Sequence, residues 1–158
     1  MSGVVCIDAN VFIKLLTLEE LSSTASRLVE RVVENNQTIV LPGFAWAEVG
    51  SVLRQKVERK IISSQEADEA WKAFRGLKVI SFLEGEEIAD LTWSIACDEK
   101  LPTLYDAAYL AVAETAVARY AVGGLCEFWT ADERLVNHLG GHRAYVRLLR
   151  DFGGAAVP

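Results

Sequence analysis

Soft and nitrogenous metal ligands are scarce in this chain: its 158 residues include two histidines and three cysteines, with no C-x-x-C pair. A zinc site of the usual ligand spacing is thereby excluded. The cysteines, Cys6, Cys97 and Cys126, are odd in number, widely separated and each set among apolar neighbours, which predicts reduced core thiols and no disulfide framework. His138 and His142 have the i, i+4 spacing of a helical metal pair, but Gly140 and Gly141 between them argue against a helix, so both are expected in solvent. No run approaches the roughly 18 apolar residues of a membrane span. Positive charge is not in excess either: 16 Lys and Arg face 22 Asp and Glu, a formal net charge of −6. That balance disfavours broad attraction to nucleic acid and leaves room for a local basic patch. The N-terminus lacks a basic leader and a small-residue cleavage site, and Asp8 and Asn10 interrupt its apolar start; a cytoplasmic protein with no membrane partner is expected. No repeat, linker or low-complexity segment divides the chain. One domain over residues 1–150 is expected, followed by a mobile tail over 151–158 that ends in "GGAAVP".

With 51% hydrophobic and 24% charged residues, the chain has the composition of a globular domain. Val4 to Ile7 and "TIVL" (38–41) are short runs of strand formers. Between them Leu21, Ala25, Leu28, Val29 and Val32 keep a helical period that Asn35 and Asn36 stop. The same period runs through Ala45, Val49, Val52, Leu53 and Val57, after which Ser63 or Ser64 caps a polar helix ending near Gly76. "LKVISFL" reads as a third strand, Glu86 to Glu99 as a helix, and Leu104 to Tyr120 as an alanine-rich helix capped by Thr103. "CEFWTA" is a fourth strand, followed by a short helix from Asp132 and an edge strand around "AYVRLL". Strands alternating with helices predict an α/β fold with a mainly parallel central sheet covered on both faces.

Four acids stand out against this frame. Asp8 closes the first strand in an apolar run, where an unpartnered carboxylate costs several kcal/mol; it could cap the following helix, although Asn10 could do so equally well. Asp106, in "PTLYDAAYLA", fits a T-x-x-D capping box, yet its spacing sets it on the apolar face of Tyr109 and Leu110. Asp132, in "FWTADERL", reads as an N-cap, and Thr130 with Glu133 offers a second capping box. Glu48 lies within a helix among Phe44, Ala45, Ala47, Val49 and Val52, where the bland alternative is a half-buried acid paired with a distant base. In a parallel sheet every strand ends at the same rim, so Asp8, Asp106 and Asp132 should gather there. Crowded carboxylates raise one another's pKa unless a cation intervenes, and oxygen ligands alone select Mg²⁺ or Mn²⁺.

"CIDANVFIKLL", "PGFAWAEVGSVL", "LPTLYDAAYLAVAE" and "FWTADERL", in this order and spacing, resemble the PIN-domain ribonucleases, especially VapC-type toxins of type II toxin–antitoxin pairs. The resemblance covers essentially the whole chain and implies a PIN-like three-layer α/β/α sandwich. It also implies that Asp8, Glu48, Asp106 and Asp132 are the catalytic, metal-holding acids, with Asn10 and Thr130 in support. The chemistry implied is Mg²⁺-assisted endonucleolytic hydrolysis of RNA, with Mn²⁺ as a substitute, leaving a 5′-phosphate and a 3′-hydroxyl. Cleavage through the 2′-hydroxyl would call for paired acid–base histidines, which this chain lacks. Implied partners are the RNA substrate, a cognate VapB-type antitoxin and a second copy in a homodimer. Antitoxins of such pairs often place an arginine in the acidic pocket.

Lys14, Arg54, Lys56, Arg59, Lys60, Arg134, Arg143 and Arg147 are candidates to flank the pocket and hold phosphates, although runs such as "RQKVERK" are commonly solvated helix faces. Four tryptophans offer stacking surfaces, with Trp71 expected in the core. Phe12, Leu15 and Leu16 are expected as exposed contacts for the antitoxin. Two rivals remain: a phosphotransfer domain, which would want a lysine after a late strand, and a catalytically silent PIN-like module that binds RNA or protein.

Overall fold

A computed structural model describes residues 3–120 and 123–154. Five strands form one wholly parallel sheet in the order β3-β2-β1-β4-β5: β1 Val4–Ile7, β2 Thr38–Pro42, β3 Ile80–Leu83, β4 Glu127–Thr130 and β5 Val146–Leu148. The central strands are continuous apolar runs with no alternation because both of their faces are covered; all four residues of β1 are buried. The helices are α1 Ala9–Leu16, α2 Ser22–Glu34, α3 Ala45–Glu58, α4 Ser64–Arg75, α5 Glu86–Asp98, α6 Tyr105–Arg119 and α7 Glu133–Leu139. Residues Leu149–Asp151 add one 3₁₀ turn.

The chain first steps from β1 through β2 to β3, then crosses back to place β4 on the other side of β1. Right-handed crossovers therefore put α1 to α4 on one face and α5 to α7 on the other, which is the three-layer sandwich expected. Helix α1 packs on α2, α3 and α4, whereas α6 lies across β1, β2 and β4 with α5 behind it. Alanine suits α6 to this double burial: Ala107, Ala111, Ala113 and Ala116 are almost fully enclosed and let the helix approach both neighbours closely. Ser63 caps α4 in a complete capping box with Glu66. Helix α7 stops at Gly140, whose left-handed conformation (φ 58°) closes its C-terminus.

Several expectations need correction. Phe12 is a core residue, packed edge-on against Phe74 at 5.3 Å, so it offers no docking surface. Its side of α1 faces α4 because the two helices pack together. Cys6 and Cys126 are buried as expected, but Cys97 lies near the C-terminus of α5 on its exposed side. Helix α6 begins one residue after Leu104, and neither Thr103 nor any other side chain caps it. Trp71 is only partly buried at the edge of the core. Phe152, inside the stretch expected as a tail, packs edge-on against Trp129 at 5.4 Å; residues 155–158 lie outside the described residues.

Candidate active site

The order of strands reverses between β1 and β4, and this switch point is where an open parallel sheet leaves a crevice beyond its strand ends. Asp8 follows β1 directly and Asp132 follows β4 by two residues. Glu48 lies in the first turn of α3 and Asp106 in the first turn of α6. All four acids thus stand at helix N-termini, where the positive end of the helix dipole favours an anion. That contribution is modest beside the cost of burying charge.

Asp8 is 6% exposed. It occupies the N-cap position of α1, but its side chain caps nothing and turns toward β4. There its Oδ2 accepts hydrogen bonds from Thr130 Oγ1 at 2.8 Å and from Asn10 Nδ2 at 3.1 Å. Asn10 Oδ1 in turn accepts from the Ala131 amide (3.0 Å), and Thr130 Oγ1 accepts from the Asp132 amide (3.1 Å). Asn10 and Thr130 therefore tie the end of β1 to the loop after β4 and fix the Asp8 carboxylate between them. Among the described residues Glu48 has no basic partner; its Oε1 accepts from the Tyr109 hydroxyl at 2.8 Å. Asp132 behaves as its N-cap reading says on one oxygen, since Oδ1 accepts from the Arg134 and Leu135 amides at 2.9 and 3.2 Å. Its Oδ2 accepts no hydrogen bond among the described residues. The Thr130–Glu133 capping box does not form: Thr130 serves Asp8 and the Asp132 amide, and Glu133 pairs with Arg150.

Asp8, Asn10, Glu48 and Asp106 line one cavity of about 420 Å³ between α1 and α3. Asp132 lies beside it, close enough to act on Asp106 electrostatically. Burial pushes the Asp8 carboxyl up to about 7; its bond from Thr130 opposes this, and the charges of Asp106 and Glu48 add to it. The Glu48 carboxyl is raised by burial and by Asp106, against the Tyr109 hydrogen bond, and that of Asp106 by burial and Asp132. Asp8, Glu48 and Asp106, from distant parts of the chain, are thus destabilised in their charged forms, and Asp132 adds its charge to Asp106. Among the described residues none of them has an ion-pair partner.

Oxygen donors, unpaired charge and a depth of burial that resists ionisation fit a hard divalent cation. As placed, no three His, Cys, Asp or Glu side chains among the described residues are gathered tightly enough to chelate an ion. Side-chain rotation would have to draw the carboxylates together on one.

Tyr109 escaped sequence reasoning as a polar partner. Burial, with Asp8 and Glu48 nearby, pushes its phenol pKa far above the ordinary value, so it stays a neutral donor. The available signal was a tyrosine three residues after Asp106 on the apolar side of an alanine-rich helix. His138 and His142 are exposed at and beyond the end of α7 and make no hydrogen bond to any of these acids; both lean on Glu99.

The PIN domain family model matches residues 5–137. This chain belongs to the PIN-domain family. A solved structure described as a toxin–antitoxin complex from Klebsiella pneumoniae shares the fold, with a TM-score of 0.61 at 17% identity over 92% of this chain and 97% of that one. No curated protein gives a match. The matched span of the PIN domain includes all four acids as well as Asn10 and Thr130.

Proposed function

We propose that this PIN domain is a divalent-metal-dependent endoribonuclease, the toxin of a VapBC-type toxin–antitoxin pair. The observation that carries the reading is the electrostatic coupling of Asp8, Glu48 and Asp106 at the sheet's switch point, with Asp132 acting on Asp106 and no ion-pair partner for any of the four among the described residues. Asp8, Glu48 and Asp106 would hold Mg²⁺ or Mn²⁺, with Asp132 contributing its free oxygen. The ion supplies Lewis acidity toward a phosphodiester and its attacking water.

The chain's own groups have distinct tasks in this reading. Asn10 and Thr130 hold Asp8 in a single orientation, so that the other carboxylates would close on one fixed ligand when metal binds. Tyr109 orients Glu48 in the same way. With Asp8 poised near neutrality, proton loss and cation binding are linked at physiological pH. Products should carry a 5′-phosphate and a 3′-hydroxyl, since both histidines contact Glu99 and neither contacts the carboxylates to activate a 2′-hydroxyl beside them.

An antitoxin partner, a homodimeric state and a cytoplasmic location belong to the same reading. Support for the antitoxin comes from the shared fold with the Klebsiella pneumoniae toxin–antitoxin complex. Leu15 and Leu16 are half-buried against the core and not exposed as expected, yet they remain candidates for its contact: they line a groove of about 450 Å³ with the fully exposed Leu18 and with Ile61. Leu16→Asp should then weaken capture of the antitoxin encoded beside this chain while leaving RNA cleavage intact.

The deciding experiment incubates purified protein with a mixed RNA pool in Mg²⁺, with EDTA, Asp8→Asn and Asp106→Asn as controls. Cleavage abolished by each control supports the reading; products ending in 2′,3′-cyclic phosphate contradict the hydrolytic route. The unclosed spacing of the carboxylates favours one rival, a PIN module that binds RNA without cutting it. That rival predicts a mobility shift without products.

A further inference from the structure

Only two of the eight basic residues considered as flanking contacts line the acidic cavity: Lys14 and Lys56. Elsewhere Arg54 pairs with Glu58 in solvent, Arg143 joins Glu99 to Glu114, and Arg147 reaches Glu127. The cavity is a trench with a charge gradient along it. On α1, Asn10, Ile13 and Lys14 share one face at i, i+3, i+4; on α3, Glu48, Val52 and Lys56 do so at i, i+4, i+8. The acids stand at the N-terminal ends of both helices and the lysines in their last turns. Along α3, Glu48 and Lys56 are about 12 Å apart.

At the lysine end both ammonium groups converge on one carboxylate. Lys14 Nζ lies 3.1 Å from Glu19 Oε1 and Lys56 Nζ lies 2.5 Å from Glu19 Oε2. The two lysine side chains are only 19% and 16% exposed, so neither is an ordinary solvated surface charge. Burial raises the Glu19 carboxyl, and the hydrogen bonds from Lys56 and Lys14 more than reverse this, holding it below its usual range. Glu19 is therefore an anion throughout the neutral range. Two positive charges against one negative leave the triad with a surplus of one positive charge, inside a cavity whose other end is anionic. A single Lys–Glu pair would tie the loop after α1 to α3; the second lysine adds a charge that meets no second carboxylate within ion-pair distance among the described residues.

We propose that Lys14 and Lys56 form a phosphate seat, which holds an RNA backbone phosphate adjoining the one at the carboxylates, and that Glu19 is the internal counterion this phosphate displaces. The inference rests on the RNA-hydrolase reading for its substrate. It adds residues that position the strand in the trench and an anion that competes with it. Ammonium groups recognise the phosphate and not the base, so the seat sets register and affinity without reading sequence.

The test measures binding of a fluorescein-labelled, mixed-sequence single-stranded RNA by anisotropy across a salt series, in EDTA so that nothing is cut. Lys14→Met and Lys56→Met should each weaken binding about tenfold. Each should also make the slope of log affinity against log salt shallower by about 0.7. Lys56→Arg should retain most of the affinity. Glu19→Gln should move the other way, tightening binding roughly threefold because both ammonium groups are released. If the triad were only a strut, all these variants would lose thermal stability together and none would tighten binding. Wild-type affinity and salt slope in both lysine variants, or a folded Glu19→Gln that binds no better than wild type, would overturn the seat. Should one lysine variant fail to fold, the Glu19→Gln arm still decides. A parallel Mg²⁺ cleavage assay separates the two readings: the predicted divergence without cleavage sinks the hydrolase and keeps the seat, and cleavage without divergence does the reverse.

Discussion

Asp8→Asn should make the metal-free protein more stable at pH 8, although it removes a residue at the heart of the proposed site. The folded-state carboxyl is pushed from 3.8 to about 7, chiefly by burial. A difference of roughly three pH units corresponds to about 4 kcal/mol. The sign follows from proton counting. Between pH 4 and 7 the folded state binds more protons than the unfolded chain, so stability is fully present at the acid end and is lost as pH rises toward 7. Asparagine escapes this loss: its Oδ1 can accept from Thr130 and Asn10 as the carboxylate did, and it brings no charge against Glu48 and Asp106. Urea unfolding in EDTA at pH 8 should therefore find the variant more stable by about 2 to 4 kcal/mol, with the gap closing near pH 4. Saturating Mg²⁺ should raise the wild type and leave the variant nearly unmoved. A variant less stable than wild type at pH 8, or a gap that does not depend on pH, would refute the reasoning.

Three other substitutions test neighbouring parts of the account. Thr130→Val removes a donor to Asp8 and the acceptor of the Asp132 amide; it should cost about 1 to 3 kcal/mol by denaturant melt and shift the acid limb of cleavage to higher pH. Tyr109→Phe leaves Glu48 half-buried without its donor, so the same limb should move upward while kcat at high pH and saturating Mg²⁺ stays close to wild type. Arg143→Ala removes the cation that joins Glu99 to Glu114, leaving Glu114, among the described residues, only its bond from Tyr145, and should destabilise by about 2 kcal/mol with cleavage per folded molecule unchanged.

How much of this could be read in the sequence depends on how local the cause was. The alternation of strand runs with helical periods fixed a parallel sheet, and a parallel sheet forces residues after β1 and β4 to one rim; the gathering of Asp8 and Asp132 follows from topology alone. Glu48 was visible as an acid on an apolar helix face. Tertiary partners were not visible. Whether Asp8 caps α1 or turns toward Thr130 depends on a threonine 122 positions away, and Tyr109 meets Glu48 across 61. Phe12 had the same periodicity as Leu15 and Leu16, and only tertiary packing shows that it is enclosed in the core while they line a groove beside α4. Likewise, "RQKVERK" conceals one residue that is unlike its neighbours: Lys56 turns inward to Glu19 while Arg54 and Arg59 stay in solvent.

All of this rests on a divalent cation relieving the charge that Asp8, Glu48, Asp106 and Asp132 impose on one another. Calorimetric titration with Mn²⁺ at pH 7, repeated in two buffers of different ionisation enthalpy, measures that directly. The account predicts saturable binding that releases protons, because Asp8 is partly protonated before the ion arrives, and loss of both signals in Asp8→Asn. Saturable binding that releases no protons, or heats indistinguishable between wild type and Asp8→Asn, would contradict it.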